Sequence, residues 1–213
     1  MVKTYLQMYQ QIFTFHLKEI HIFAKEKSCD MTEKEKAALG LEYNPNRDEE
    51  LLAQMRRAHS LVQRYNTIPF EDEKARADAL KEIVDIGEGG TVISPFFCDY
   101  GYNIHIGDNF FANANFTVLD GARVEIGDNV FIGPNVGLYT AEHPLDPSRR
   151  AEGIETARPI RIGDNVWIGG HVCILAGVTI GARSVIGAGS TVTRDIPEDC
   201  IAVGNPCRVL RKI

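Results

Sequence analysis

From Ile162 to Pro197, apolar and polar positions follow each other with a period of six. Ile162, Ile168, Ile174, Ile180, Ile186 and Val192 head the successive units IGDNVW, IGGHVC, ILAGVT, IGARSV, IGAGST and VTRDIP. A helix would place apolar residues at i, i+3, i+4 and i+7, and this run does not. A fixed six-residue period with small or turn-forming residues between aliphatic ones predicts a parallel β-helix. Each unit supplies one short strand and one turn, three units close a triangular coil, and the aliphatic residue points inward. Gly, Asn and Asp take the tight corners because they tolerate φ > 0.

The same period runs earlier in the chain with slips. Ile86, Val92, Cys98 and Ile104 are six apart; Ile106 restarts the count two positions out of phase, followed by Ala112 and Val118. A second shift of two leads to Ile126, Ile132 and Leu138. Leu138 and Ile162 lie four whole units apart, so the phase survives a stretch, residues 139–160, that carries no repeat. That stretch predicts a long loop extruded from one corner of the solenoid, and loops of this length in a compact domain are usually functional. The tail from Gly204 to Arg211 breaks the period and predicts a cap over the last coil, whose open strand edge needs covering.

Upstream, residues 31–86 have a helical pattern. Asp48 is a plausible N-cap, followed by Leu51, Leu52, Met55, Ala58, Val62 and Tyr65 at helical spacing, with Pro69 closing the segment. Glu71 to Val84 predicts a second helix with Ala75, Ala79, Leu80 and Ile83 on one face. Helices this short need a wall to dock on, and the β-helix is the nearest. Met31-Thr32-Glu33-Lys34 resembles a second start, so residues 1–30, loosely amphipathic and too broken for a signal-peptide core, read as an extension of unknown role. The domain reading is therefore 1–30 extension, 31–86 helical cap and 87–213 β-helix with its C-terminal cap.

Composition narrows the function classes. The chain has 213 residues and a net charge of −6, which argues against a nucleic-acid partner held through phosphates. It contains no run of 18 apolar residues, so no membrane span is expected, and a cytoplasmic location is the default. Five cysteines (Cys29, Cys98, Cys173, Cys200, Cys207) form no C-x-x-C pair, which indicates neither a zinc site nor a disulfide framework. Cys173, among the repeats, reads as a small packing residue. Asn115-Phe116-Thr117 matches a glycosylation sequon and carries little weight without a secretory signal.

The interrupted stretch opens Tyr139-Thr140-Ala141-Glu142-His143-Pro144. His143 is its only histidine, and Pro144 restricts the backbone of the residue before it. An imidazole that takes a proton near neutral pH can activate a hydroxyl; the competing reading is a plain surface histidine. His105 and His171 sit beside inward aliphatic positions and read as solvated or wall-packing, while His16, His21 and His59 lie in helical segments.

Several stretches together resemble the maltose/galactoside O-acetyltransferase family of hexapeptide-repeat acyltransferases. They are Asp99-Tyr100-Gly101-Tyr102-Asn103-Ile104-His105-Ile106-Gly107, Phe111-Ala112-Asn113, Glu142-His143-Pro144, Asn165-Val166-Trp167-Ile168-Gly169-Gly170 and Gly204-Asn205-Pro206-Cys207-Arg208. The resemblance spans about residues 31–213. It implies a left-handed β-helix, an exception to the usual right-handed crossover, and a homotrimer with active sites between subunits. His143 matches the catalytic general base, acting on a sugar hydroxyl that attacks the thioester of acetyl-CoA directly, without an acyl-enzyme or a metal. Asp99 and Asn113 match acceptor-contacting positions, and their carboxylate and amide suit a polyol. Glu155, later in the loop, is a further candidate for that pocket, set against a plain solvated charge.

Trp167, Gly170, Ala188, Thr193, Arg208 and Arg211 fall on CoA-contacting positions of the family. Gly170 and Ala188 would let a pantetheine arm approach the backbone, and the two arginines would answer phosphates, the competing reading being a solvated basic tail. Two departures bear on the acceptor. Gly121 stands where some galactoside-acetylating members place a carboxylate, and Tyr43-Asn44-Pro45-Asn46 does not match well enough to assign a contact. A different acceptor (drug, serine or glycan) on the same scaffold and a non-catalytic β-helix are the alternatives. The zinc β-helix carbonic anhydrases share the fold but need three converging histidines, and the loop holds one.

Overall fold

The computed structural model describes residues 31–213; the extension 1–30, with Cys29, lies outside them. Inward aliphatic residues stack in three columns, one per face of a triangular prism. Face 1 carries Ile86, Ile106, Ile126, Ile162 and Ile180 in parallel register, with Ile196 bridged to the last. Face 2 carries Val92, Ala112, Ile132, Ile168, Ile186 and Ala202. Face 3 carries Cys98, Val118, Leu138, Ile174 and Val192. All but Ile86 are buried, and they form one continuous core. Each fully buried Val, Leu or Ile contributes roughly 1.5–3 kcal/mol. The architecture is a parallel β-helix with an N-terminal helical region, consistent with the left-handed winding that the resemblance implies.

The corners follow the φ > 0 rule. Asn109, Asn129 and Asn165 turn the edge between faces 1 and 2 at φ 54, 54 and 58°. Asn115, Asn135 and His171 turn the edge between faces 2 and 3 at φ 63, 58 and 58°. His171 is therefore an exposed corner residue, the solvated rather than the wall-packing of its two readings. Asn115, the first residue of the sequon, donates from Nδ2 to Asn135 Oδ1 at 2.9 Å within this corner ladder. Cys173 is half-buried on the outer side while its neighbour Ile174 is inward, so it does not fill the core as expected.

Every slip in the repeat falls at one edge. Along faces 1, 2 and 3 the inward residues are always six apart. From face 3 back to face 1 the step is eight (Cys98 to Ile106, Val118 to Ile126), then twenty-four (Leu138 to Ile162), six (Ile174 to Ile180) and four (Val192 to Ile196). The two-residue shifts are accommodated because Ile104 and Ile106, like Val124 and Ile126, both point inward on one strand with a polar residue between.

Both ends of the prism are closed. Helix α1 (Glu33–Ala38) is N-capped by Thr32, whose hydroxyl and the Glu35 carboxylate complete a capping box. Helix α2 (Glu49–Thr67) begins at Asp48, which accepts the Leu51 N–H at 3.0 Å as the sequence predicts. Helix α3 (Glu73–Lys81) starts two residues later than its pattern suggests because Asp72 caps it. These helices cover the first coil by hydrogen bonding to its free edge. Tyr65 and Arg76 donate to the Val92 carbonyl, and Asn66 exchanges two bonds with Phe96 at 2.8 and 2.9 Å. At the other end the strand Arg208–Lys212 pairs antiparallel with Cys200–Val203 and covers the edge of face 2.

Candidate active site

The twenty-four-residue step is not an irregular loop. Ala141–Glu142 pairs antiparallel with Thr156–Ala157, and a short helix, α4 (Pro147–Ala151), fills the hairpin's end. Its elements are too brief for periodicity to reveal. Arg158 holds the hairpin's base through a bidentate pair with Glu142, at 2.8 and 2.9 Å. The helical cap holds its far side: Tyr43 and Glu155 exchange backbone hydrogen bonds at 3.0 and 2.9 Å, Asn44 Nδ2 donates to the Glu152 carbonyl at 2.6 Å, and Arg149 pairs with Glu42.

His143 follows the first hairpin strand, with its side chain 54% exposed. Its Nδ1 lies 3.3 Å from the Ile154 carbonyl. A carbonyl only accepts, so in the neutral ring Nδ1 carries the proton and the lone pair is on Nε2. Nε2 faces Glu155 Oε1 across 4.0 Å, and Glu155 Oε2 accepts a hydrogen bond from the Tyr43 hydroxyl at 3.0 Å. Burial, then the Glu155 charge, pushes the Tyr43 phenol far above its usual range, so it stays a donor.

Asp99 stands at the same edge, one residue past inward Cys98. Burial raises its carboxyl to about 7, helped by the charges of Asp120 and Glu155. Asp120 is fully buried; its Oδ1 accepts the backbone N–H groups of Asp99 and Tyr100 at 3.0 and 2.9 Å, and its Oδ2 has no partner among the described residues. Burial raises Asp120 as well. Near neutrality Asp99 thus changes from a hydrogen-bond donor to an acceptor. An unfolded Asp titrates near 3.9, so between about pH 4 and 7 the folded state holds the extra proton and loses stability as pH rises. The gap in Tm between Asp99→Asn and the wild type should therefore move in favour of the variant from pH 5 to pH 8; thermal melts showing a pH-independent gap would refute this.

The predicted site residues separate into two groups. Asp99, His143, Glu155 and Thr193 lie along the edge between faces 3 and 1, Thr193 occupying the position after inward Val192 that Asp99 occupies after Cys98. Asn113, Gly170 and Ala188 lie along the edge between faces 2 and 3. There Asn113, Gly133 and Gly169 follow stacked inward residues, and the Gly170 carbonyl accepts the Gly189 N–H at 2.9 Å. Trp167 stands on the outside of face 2, and Arg208 and Arg211 on the strand that extends that face. Asn113 lies before the corner turned at Asn115, and the four-residue strand Phe116–Leu119, about 13 Å at ~3.3 Å per residue, runs from there to the next corner. One chain therefore does not bring Asn113 to His143, as sites shared between subunits would require.

The edge between faces 2 and 3 is bare enough for an extended ligand. Ala188 is exposed, and a Cβ at Gly189 would meet nothing within 4 Å among the described residues; at Gly170 the neighbouring Pro134 backbone, 3.1 Å from where a Cβ would sit, accounts for the glycine. Arg208 and Arg211 are exposed, and neither pairs with an acid among the described residues. These residues fit a long, phosphate-bearing co-substrate.

Sequence reasoning missed Tyr43, Tyr100 and Asp120. Tyr43 belongs to the segment whose match was too weak to assign, and it meets the loop across 112 positions of chain. Its hydroxyl also explains Gly121, where a Cβ would lie 2.8 Å from that oxygen. The space a side chain at position 121 would fill is taken by the tyrosine.

A prism of hexapeptide coils carrying a histidine hairpin at one edge defines the class, and comparison with known proteins agrees. Residues 159–194 match the family described as Bacterial transferase hexapeptide (six repeats), 123–139 the Hexapeptide repeat of succinyl-transferase, and 36–86 the Maltose acetyltransferase hexapeptide capping motif. A Saccharomyces cerevisiae protein named "Putative acetyltransferase YJL218W" is 52% identical over 172 residues, covering 80% of this chain and 88% of its own. The crystal structure of a maltose O-acetyltransferase from Clostridium difficile is 49% identical with a TM-score of 0.84, covering 86% of this chain and 98% of that one. A hexapeptide-repeat acetyltransferase from Vibrio cholerae, solved with acetyl-CoA, is 42% identical with a TM-score of 0.79, covering 85% and 98%. The chain belongs to the hexapeptide-repeat acetyltransferases and carries the cap of the maltose acetyltransferases. No helix among the described residues is long and apolar enough to cross a membrane.

Proposed function

We propose that this protein is an O-acetyltransferase that moves the acetyl group of acetyl-CoA to a hydroxyl of a small sugar of the maltose, glucose or galactoside type. The observation that carries the reading is the setting of His143: Nδ1 faces the Ile154 carbonyl, which leaves Nε2 to accept a proton in the neutral ring, and the side chain is 54% exposed. Bound acetyl-CoA supplies an acetyl group activated as a thioester. His143 Nε2 takes the proton from the acceptor hydroxyl as its oxygen bonds to the acetyl carbon, and returns it to sulfur as the carbon–sulfur bond breaks. Glu155 and Asp99 receive the acceptor's other hydroxyls, while Tyr43 and the Ile154 carbonyl fix the groups that contact it. Gly170, Ala188 and Trp167 line the co-substrate's path, and Arg208, Arg211 and Thr193 hold its polar groups.

We further propose that the working form is a homotrimer whose sites form between copies. The support is geometric: Asn113 with the co-substrate edge, and His143 with the acid cluster, occupy different edges of one prism. The outer side of face 2 also exposes an aromatic ladder, with the Phe111 and Phe131 rings 6.2 Å apart and Phe131 and Trp167 53% and 59% exposed. An apolar stripe of this kind suits burial against another copy.

Thiol release from acetyl-CoA, measured across maltose, glucose, a galactoside and serine, tests the acceptor class. The expected result is saturable release with a sugar and background release with serine. Preference for serine, or no release with any acceptor, would overturn the sugar reading.

A further inference from the structure

Glu155 and His143 are placed as if to form an ion pair, yet they do not close. The 4.0 Å between Nε2 and Oε1 is longer than a charge-assisted hydrogen bond, at about 2.7–2.9 Å. Were the gap to close, the carboxylate would stabilise the imidazolium and take up the lone pair that a general base needs. The other charges nearby do not hold the two apart. Glu142 is engaged by Arg158, Arg150 donates to the carbonyls of Pro144 and Leu145, and Asp99 couples to Glu155 through charge, with no hydrogen bond between them among the described residues.

What holds Glu155 is Tyr43. Its backbone is laddered to that of Glu155 in both directions, and its hydroxyl donates to Oε2, the oxygen turned away from the imidazole. Tyr43 is in turn held by its surroundings: it is 3% exposed, and its hydroxyl rests in the space that the lack of a side chain at Gly121 leaves open. We propose that Tyr43 is a positioning residue that holds the Glu155 carboxylate off the His143 imidazole, keeping open a slot one hydroxyl wide between base and acid. The slot lets an acceptor hydroxyl reach Nε2 while a second hydroxyl reaches Oε1, which favours acceptors with vicinal diols over isolated alcohols. This inference rests on the reading of His143 as the base.

A mutant cycle tests it. Tyr43→Phe keeps the buried ring and removes the tether; it should lower kcat/KM for the sugar about tenfold, within the range for residues of one network, with the KM for acetyl-CoA unchanged. Glu155→Gln alone should cost a few-fold, as about one hydrogen bond is weakened. Adding Glu155→Gln to Tyr43→Phe should then raise activity, because an amide cannot hold an imidazolium. Additive losses would overturn the proposal, since a purely structural tyrosine gives no rescue.

Nitrogen NMR of His143 supplies a readout independent of turnover. The Nδ1–H tautomer should give way to imidazolium in Tyr43→Phe at the same pH and return in the double variant; an unchanged spectrum would sink the idea. If His143 is not the base, His143→Ala stays active while the spectral change in Tyr43→Phe persists, which separates the two failures. Should Tyr43→Phe melt early, Gly121→Ala, whose Cβ would come 2.8 Å from the hydroxyl, pushes the whole tyrosine away from Oε2 without removing it, and must shift the same spectrum in the same direction.

Discussion

His143→Ala is expected to lower kcat by about 10²–10⁴, the range for loss of a positioned general base, with little change in the KM for acetyl-CoA. The side chain is half-exposed and bonded only to one carbonyl at 3.3 Å, so its removal should leave the melting temperature within a few degrees. That separation matters, because a loss of rate in a protein of unchanged stability points to chemistry. A single-turnover assay with saturating sugar and acetyl-CoA measures it. Turnover within a few-fold of wild type would remove His143 from the mechanism and leave the hairpin without a proton acceptor. Free imidazole restoring part of the rate would strengthen the assignment, since the space vacated opens directly to solvent.

The second large effect concerns assembly. Asn113→Ala is expected to lose about 10–100-fold, the cost of one or two unmade hydrogen bonds to a polyol. Two copies that are each defective, one in Asn113 and one in His143, should regain activity when their subunits exchange. With random exchange at equal amounts, about a quarter of the sites combine an intact Asn113 from one copy with an intact His143 from another. Activity should rise toward roughly that fraction of wild type, following the kinetics of subunit exchange. If mixtures stay at the sum of the two defective rates while exchange is shown by mass, the site is contained in one chain and the trimer reading of the split edges falls. The separation of the two edges by the strand Phe116–Leu119, roughly 13 Å at ~3.3 Å per strand residue, makes the contained alternative hard to build.

How much of the fold is legible in the sequence depends on the length over which a pattern repeats. The columns of Ile162, Ile168 and Ile174 and their partners follow directly from the six-residue period, because each position is fixed by many equivalent neighbours. The two-residue slips at Ile106 and Ile126 are visible in the spacing, but not their cause, which is that Ile104 with Ile106 and Val124 with Ile126 share a strand. His143 is legible because it stands where the period fails. The hairpin around it is not: two-residue strands and a five-residue helix carry no periodic signal. Tyr43 is invisible, since its partner is 112 residues away and no local rule links them. The separation of Asn113 from His143 is in principle countable. Ala112 and Leu138 belong to different columns, and assigning each unit to its face shows the two residues leaving by different corners.

All departures from the six-residue step lie at one edge of the prism, and this sets what the scaffold can vary independently. Coils pair only with the coils above and below, so residues inserted at the edge between faces 3 and 1 leave the register of the other two edges untouched. Asp99, Asp120 and the hairpin bearing His143 and Glu155 all grow from that variable seam, whereas Asn113 stands on a regular one. The wall that would receive the acyl donor is built from the two regular seams and cannot change length without unthreading a column. A chain of this kind can therefore change the His143 side of its site by editing one seam, while the wall carrying Asn113, Gly170 and Ala188 stays as it is.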